Sequence, residues 1–205
     1  MTNCIELTNS QLACWSDEDL LSEYRLTGNR ELFEALVHRY EKELFNYLFR
    51  MTGNRQTAED VFQATFLQVH RKCSQFETGR AFRPWLYRIA SNQAIDNRRK
   101  AKRHDAVSLD ETFGGSDNEG DSLASILCGN DRDPAQIAEL QDTVAQLRGA
   151  ISRLPEVQRQ VIDLVCMRGM TYREAAETLA VPVKTVATRL MAAKKRLASA
   201  LGVLA

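Results

Sequence analysis

The chain lacks the marks of an enzyme. No paired carboxylates come with a metal-binding partner, no glycine-rich phosphate loop is present, and no nucleophile is matched to a histidine. The three histidines, His38, His70 and His104, stand apart on helix faces or at a helix end. The five cysteines, Cys4, Cys14, Cys73, Cys128 and Cys166, form no C-x-x-C pair, and none has a histidine at metal-ligand spacing. Scattered thiols in odd number fit a reducing cytoplasm, where each is a small hydrophobe or an idle surface group. No metal and no cofactor are expected. Long apolar runs are missing too. Nothing approaches the roughly 18 residues that span a bilayer, and Met1 to Asp17 has neither the basic start nor the apolar run of a signal peptide. The expectation is a soluble cytoplasmic protein without membrane insertion.

Net charge is also absent, since 27 basic residues balance 27 acidic ones. A neutral total argues against a nucleic-acid partner only if the charge is evenly spread, and it is not. Arg98-Arg99-Lys100-Ala101-Lys102-Arg103 holds five cations in six residues. From Asp105 to Asp133 there are eight acids against the single Arg132. From Val183 to Ala205 there are five cations and no acid. Segregation of this kind predicts two basic binding surfaces separated by an acidic tether. With 205 residues, 44% of them hydrophobic, the chain can form one large domain or two small ones.

Helical patterns fill the first half. Ser16 can cap a helix over Asp17–Leu26, with Asp19 at the third position. Gly28-Asn29 breaks it. Arg30 to Met51 is amphipathic, with Leu32, Phe33, Leu36, Val37, Tyr40, Leu44, Tyr47 and Leu48 at core spacing, and Thr52-Gly53-Asn54 ends it. A third helix is expected from Ala58 to Lys72, capped by Thr57 with Asp60 three residues on. Its core side is Ala58, Val61, Phe62, Thr65 and Val69, and its outer side Asp60, Gln63, Leu67, His70 and Arg71. After a loop through Phe76 and Gly79, a fourth helix begins near Pro84, a residue suited to a first helical position. Arg88, Asn92, Arg99 and Arg103 share one stripe of it.

From His104 to Asp133 no period survives. The acidic, glycine- and serine-rich composition predicts a flexible linker. Pro134 opens a second helical domain. Val144, Leu147, Ile151 and Leu154 keep helical spacing, and Pro155 starts a helix carrying Val157, Val161, Leu164 and Val165 that Gly169 closes. Thr171 and Glu174 form a T-x-x-E box ahead of a helix whose Tyr172, Ala175, Ala176 and Leu179 face inward. Ala180-Val181-Pro182 turns the chain into a last helix from Val183 to about Leu201. Two short helices across a tight turn read as a helix-turn-helix. The second buries Val183, Val186, Leu190 and Leu197. It projects Lys184, Thr188 and Lys195, flanked by Thr185, Arg189 and Arg196, where a major groove offers base-edge acceptors and phosphates. The fold class is therefore all-α, with domains at 16–103 and 134–205 and a linker over 104–133.

Two stretches carry a family resemblance. Glu59-Asp60-Val61-Phe62-Gln63-Ala64-Thr65-Phe66 resembles the polymerase-binding helix in region 2 of sigma-70 family factors, specifically the extracytoplasmic function (ECF) subgroup. Arg83-Pro84-Trp85-Leu86-Tyr87-Arg88-Ile89-Ala90-Ser91-Asn92-Gln93-Ala94-Ile95-Asp96 resembles that region's promoter-melting and −10-reading segment. Ala64 stands where the family carries an acid, which removes one polar contact. The last 60 residues resemble region 4 in content, order and spacing.

The resemblance implies a sigma factor that binds core RNA polymerase and promoter DNA. Asp60, Gln63, Leu67 and Arg71 would dock on the clamp coiled coil, and the flap would be a second polymerase contact. The loop and fourth helix would read and open the −10 element. A cationic groove from Arg88, Asn92, Arg98, Arg99, Lys100 and Arg103 fits that task, as does an aromatic pocket to which Phe76, Phe82, Trp85 or Tyr87 could contribute. Trp85 and Tyr87 fit a core equally well. Lys184, Thr185, Thr188, Arg189, Lys195 and Arg196 would read the −35 element as duplex. The acidic linker would thread the channel that RNA later uses. The short tail after Leu201 points to regulation from outside, by an anti-sigma protein. A stand-alone helix-turn-helix regulator would explain the second domain but leave the Asp60 and Trp85 motifs idle.

Overall fold

The structure, a computed structural model, describes residues 12, 14–77, 79–105 and 134–202; for 102–105 and 134–142 it gives the backbone path alone. All regular structure among the described residues is helical, in two units. The first unit holds α1 (Asp17–Thr27), α2 (Arg30–Thr52), α3 (Arg55–Lys72), a 3-10 turn (Cys73–Gln75) and α4 (Phe82–Asp105). The second holds α5 (Pro134–Ser152), α6 (Glu156–Ile162), a π turn (Asp163–Met167), α7 (Tyr172–Leu179) and α8 (Val183–Ala200). His104 and Asp105, expected in the linker, instead end α4. The rest of that expected linker, 106–133, lies outside the described residues.

Caps set the boundaries in the first unit. Ser16 Oγ accepts from the Asp19 N–H at 3.1 Å and donates to Asp19 Oδ2 at 2.7 Å. Helix α1 ends at Gly28 (φ 68°) and α2 at Gly53 (φ 73°). A Cβ in that left-handed region costs about 1–2 kcal/mol, so glycine makes each stop cheap. Helix α3 starts three residues before the expected Ala58. Its cap is Asn54, whose side chain accepts from the Thr57 N–H at 3.0 Å, and Thr57 lies inside the first turn. Gly53 leaves Asn54 extended (φ −136°, ψ 132°), and asparagine outranks threonine as a cap. Helix α4 begins at Phe82 rather than Pro84, and proline is tolerated there because first-turn amides have no partner within the helix.

The four helices bury one core. Leu20 and Leu21 come from α1, and Leu32, Leu36, Tyr40, Leu44, Tyr47 and Leu48 from α2. Ala58, Val61, Thr65, Phe66 and Val69 come from α3, and Phe82, Leu86, Tyr87, Ala90 and Ala94 from α4. On α3 the buried phenylalanine is Phe66, not the expected Phe62, because the Phe33 ring of α2 meets it edge-on at 6.1 Å. Buried hydroxyls are satisfied locally. Thr65 donates to the Val61 carbonyl at 2.7 Å, and Ser91 Oγ joins the Tyr87 carbonyl and the Tyr47 hydroxyl, each at 2.7 Å.

In the second unit the core is Ala150, Leu154, Val161, Ile162, Leu164, Ala175, Ala176, Val186, Leu190 and Ala193. Val157, Tyr172 and Val183, expected inside, are 45%, 42% and 46% exposed. All three sit in the first turn of their helix, where Cα–Cβ bonds tilt past the helix end instead of onto the core. The helix from Pro155 also loosens into the π turn, with the Arg168 N–H donating to the Asp163 carbonyl at 3.0 Å. Asp163 and Arg168 form a buried ion pair across it at 3.8 Å. Gly169 (φ 65°) then reverses the chain.

Candidate polymerase and nucleic-acid interfaces

The outer face of α3 is as expected. Asp60, Gln63, Leu67, His70 and Arg71 are all exposed, and Leu67 keeps 49% of its surface in solvent. His70 is not idle: its Nδ1 shares a hydrogen bond with the Tyr24 hydroxyl at 2.5 Å, which ties α1 to this face. The Tyr24 phenol is pushed above its usual pKa by burial and by the nearby Cys73.

Helix α4 presents Arg88, Asn92, Arg99 and Lys100 to solvent, with Arg98 half-buried. Arg99 lies 3.8 Å from Asp96. Arg103 falls in the last turn, beyond the side chains the structure describes. The aromatic residues of the loop and helix split into two groups. Phe76, Phe82 and Tyr87 are 6%, 0% and 0% exposed, so they belong to the core, and Trp85 is half-buried. Phe76 meets Trp85 at 5.0 Å and Phe82 at 6.2 Å, both edge-on. The expected base-facing role of Phe76 thus meets a ring packed among other rings, and Trp85 is the least covered aromatic of the four.

The start of α4 is held by polar contacts from α1 and α2. Arg83 Nη2 donates to Glu43 Oε1, and its guanidinium lies 6.0 Å from the Tyr87 ring centroid. Burial works against the Arg83 charge, but the Glu43 hydrogen bond and carboxylate outweigh it and hold the pKa above its usual value. Tyr40 donates to Asp17, which also accepts from Arg39. Burial, then the bond to Asp17, pushes the Tyr40 phenol well above its ordinary pKa.

The second unit has the expected helix-turn-helix. Thr171 and Glu174 cap α7 reciprocally. The Glu174 N–H donates to Thr171 Oγ1 at 3.2 Å, while the Thr171 N–H and hydroxyl donate to Glu174 Oε2 at 2.7 and 2.8 Å. In the turn Ala180 takes φ 52°, and the Val181 N–H donates to the Ala176 carbonyl at 3.0 Å. On α8, Lys184, Thr188, Lys195 and Arg196 are exposed, and Thr185 and Arg189 are half-buried. The Thr188 hydroxyl donates to the Lys184 carbonyl at 2.9 Å, which leaves its lone pairs free to accept. Sequence reasoning passed over Met191, 75% exposed in the middle of this stripe. The 184–188–191–195 spacing places it on the stripe, but a methionine carries no polar signal that marks it as part of a charged face.

Among the described residues no group of three or more His, Cys, Asp or Glu could hold a metal ion. Among them also, no helix is long and apolar enough to cross a membrane.

Comparison with known proteins agrees with this layout. Residues 36–104 match the family model for Sigma-70 region 2, and residues 145–197 match that for Sigma-70, region 4. The chain is 33% identical to the ECF RNA polymerase sigma factor SigW of Bacillus subtilis over 166 residues, covering 80% of this chain and 85% of SigW. It is 30% identical to the RNA polymerase sigma-H factor of Pseudomonas aeruginosa over 179 residues, covering 85% of this chain and 88% of that factor. Among solved structures, CnrH in complex with the cytosolic domain of CnrY superposes with a TM-score of 0.63 at 25% identity, over 92% of this chain and 99% of CnrH. With both regions in their expected places and relatives matched over most of their length, the chain belongs to the ECF RNA polymerase sigma factors.

Proposed function

We propose that this chain binds core RNA polymerase in the cytoplasm and directs it to promoters by reading their −10 and −35 elements. It works by binding, with no catalytic step of its own. The observation that carries the reading is the pairing, in one sigma-family chain, of two exposed cation-bearing helices, α4 and α8, with a separate mixed face on α3. Residues 16–103 form the polymerase-binding and −10 domain, and residues 134–205 the −35 domain.

Asp60, Gln63, Leu67 and Arg71 dock on the clamp coiled coil of polymerase, and the second domain meets the flap. A half-exposed leucine inside a polar ring gives that contact its apolar centre. Arg88, Asn92, Arg98, Arg99, Lys100 and Arg103 track the backbone of the opened −10 strand, and the partly covered Trp85 offers its ring to bases there. Phe76 supports that surface from beneath. Lys184, Thr185, Thr188 and Arg189, near the start of α8, reach base edges of the −35 duplex, and Lys195 and Arg196 hold phosphates. An anti-sigma protein that covers these faces keeps the factor inactive.

Run-off transcription with purified core polymerase on genomic fragments tests the proposal. The expected result is discrete, factor-dependent starts. Duplex binding by the chain alone, with no transcripts and no association with core, would identify a stand-alone regulator instead.

A further inference from the structure

Helix α1 meets the outer α3 face through Tyr24 and His70, and two other side chains of α1 grip both ends of the segment leading into α4. Arg25 Nη1 donates to the Phe76 carbonyl at 3.2 Å, and Glu18 Oε1 accepts from the Phe82 N–H at 2.6 Å. Seven residues separate Glu18 from Arg25, so they stand on one face of α1, about 10.5 Å apart along its axis. Each bond joins a charged side chain to a backbone group, the stronger class of hydrogen bond. The Phe82 amide is the first of the α4 N–H groups left without a helical partner, and the Glu18 carboxylate also faces the positive end of that helix.

Between the two anchors, Glu77, Gly79, Arg80 and Ala81 are all exposed. Gly79 sits at φ 90° with nothing near enough to touch an added Cβ. Packing holds the rings of Phe76 and Phe82, while the exposed residues between them are joined to each other by one turn, in which the Arg80 N–H donates to the Glu77 carbonyl at 3.3 Å and its guanidinium pairs with the Glu77 carboxylate at 3.3 Å. Their position is therefore set largely by where their two ends are tied.

We infer that Glu18 and Arg25 are positioning residues for −10 recognition. They splint the segment between Phe76 and Phe82 and fix where α4 starts, so that the exposed backbone and the α4 stripe meet the strand at a set distance. The inference rests on the reading of α4 as the −10 surface. Both side chains bond to the backbone of this segment rather than to Asp60, Gln63, Leu67 or Arg71, so losing either should relax strand selection without weakening polymerase docking.

The test uses full-length protein assembled with core polymerase. Wild type, Glu18→Ala, Glu18→Gln and Arg25→Ala are compared on single strands carrying the −10 sequence that wild-type holoenzyme selects from a random pool, and on scrambled strands. Each alanine variant should lose about tenfold of the preference for the selected strand, as expected for one charge-assisted bond, with unchanged core affinity. Glu18→Gln keeps an acceptor oxygen and should retain most of the preference. Hydrogen exchange at the Phe82 amide should quicken in Glu18→Ala and not in Glu18→Gln. Unchanged preference in both alanine variants overturns the inference. So does a loss of preference matched by an equal loss of core affinity and not rescued by Gln, because that pattern is general destabilisation. If wild-type holoenzyme selects no strand at all, the −10 reading of α4 fails and the positioning role falls with it.

Discussion

Replacing Leu67 with glutamate is the sharpest probe of the α3 face. Leu67 is 49% exposed, with Gln63 and Arg71 one turn away on either side and no core role. Fully burying a leucine is worth about 1.5–3 kcal/mol, so covering the exposed half in a complex contributes about 1 kcal/mol. Leu67→Ala should therefore weaken core polymerase binding about fivefold. Leu67→Glu loses the same area and also brings a carboxylate into an interface that excludes water. Its loss should exceed tenfold, since an unpaired charge costs more than the missing area. Stability should stay within about 0.5 kcal/mol of wild type, because the site is on the surface and a new Glu–Arg71 pair at i,i+4 favours the helix. Competition binding to fluorescently labelled core polymerase gives the affinity, and thermal melting followed by circular dichroism gives the stability. Wild-type affinity in Leu67→Glu with an unshifted melt would refute the assignment of this face. A lowered melting temperature would show instead that Leu67 packs within the domain.

The proposed −35 surface should separate into reading and holding. Arg189→Ala should reduce discrimination among −35 duplexes by about 1–3 kcal/mol, whereas Lys195→Ala should weaken all sequences alike and lower the salt slope by about one phosphate. Equal losses on every sequence in both variants would make Arg189 a backbone contact only. In the turn before α8, Ala180→Gly should leave DNA binding intact and raise the melting temperature of the second domain slightly. It removes about 1 kcal/mol of left-handed strain at φ 52°, partly offset by the greater freedom of glycine in the unfolded chain. A clear drop would show that the alanine methyl is packed. The raised pKa of Tyr40 has a signed consequence. The folded state disfavours the phenolate, so this contribution to stability is complete below the unfolded value of about 10 and is lost as pH rises beyond it. Tyr40→Phe should flatten that alkaline limb in pH-dependent denaturation, and an unchanged limb would place the sensitivity elsewhere.

The sequence alone determined what depends on neighbours in the chain. Helical periodicity, the Ser16–Asp19 and Thr171–Glu174 caps and the glycine stops at Gly28, Gly53 and Gly169 are local, because each needs only contacts within a turn or two. The outer faces of α3 and α8 were legible for the same reason: Asp60, Gln63, Leu67 and Arg71, and Lys184, Thr188 and Lys195, share a side by helical geometry alone. Tertiary structure decided which apolar residues are covered. Phe66 is buried and Phe62 half-exposed because Phe33 arrives from another helix, while Val157, Tyr172 and Val183, apolar by sequence, stay largely uncovered in the first turns of their helices. It also decided the fate of the aromatics, since periodicity cannot tell a ring that stacks on a base from one that stacks on another ring; Phe76 packs on Trp85. Above all it brought Glu18 to Phe82, 64 residues away, and Arg25 to Phe76, 51 residues away. Pairings between distant residues leave no mark in local spacing, because they exist only once the core has closed and set the helices side by side.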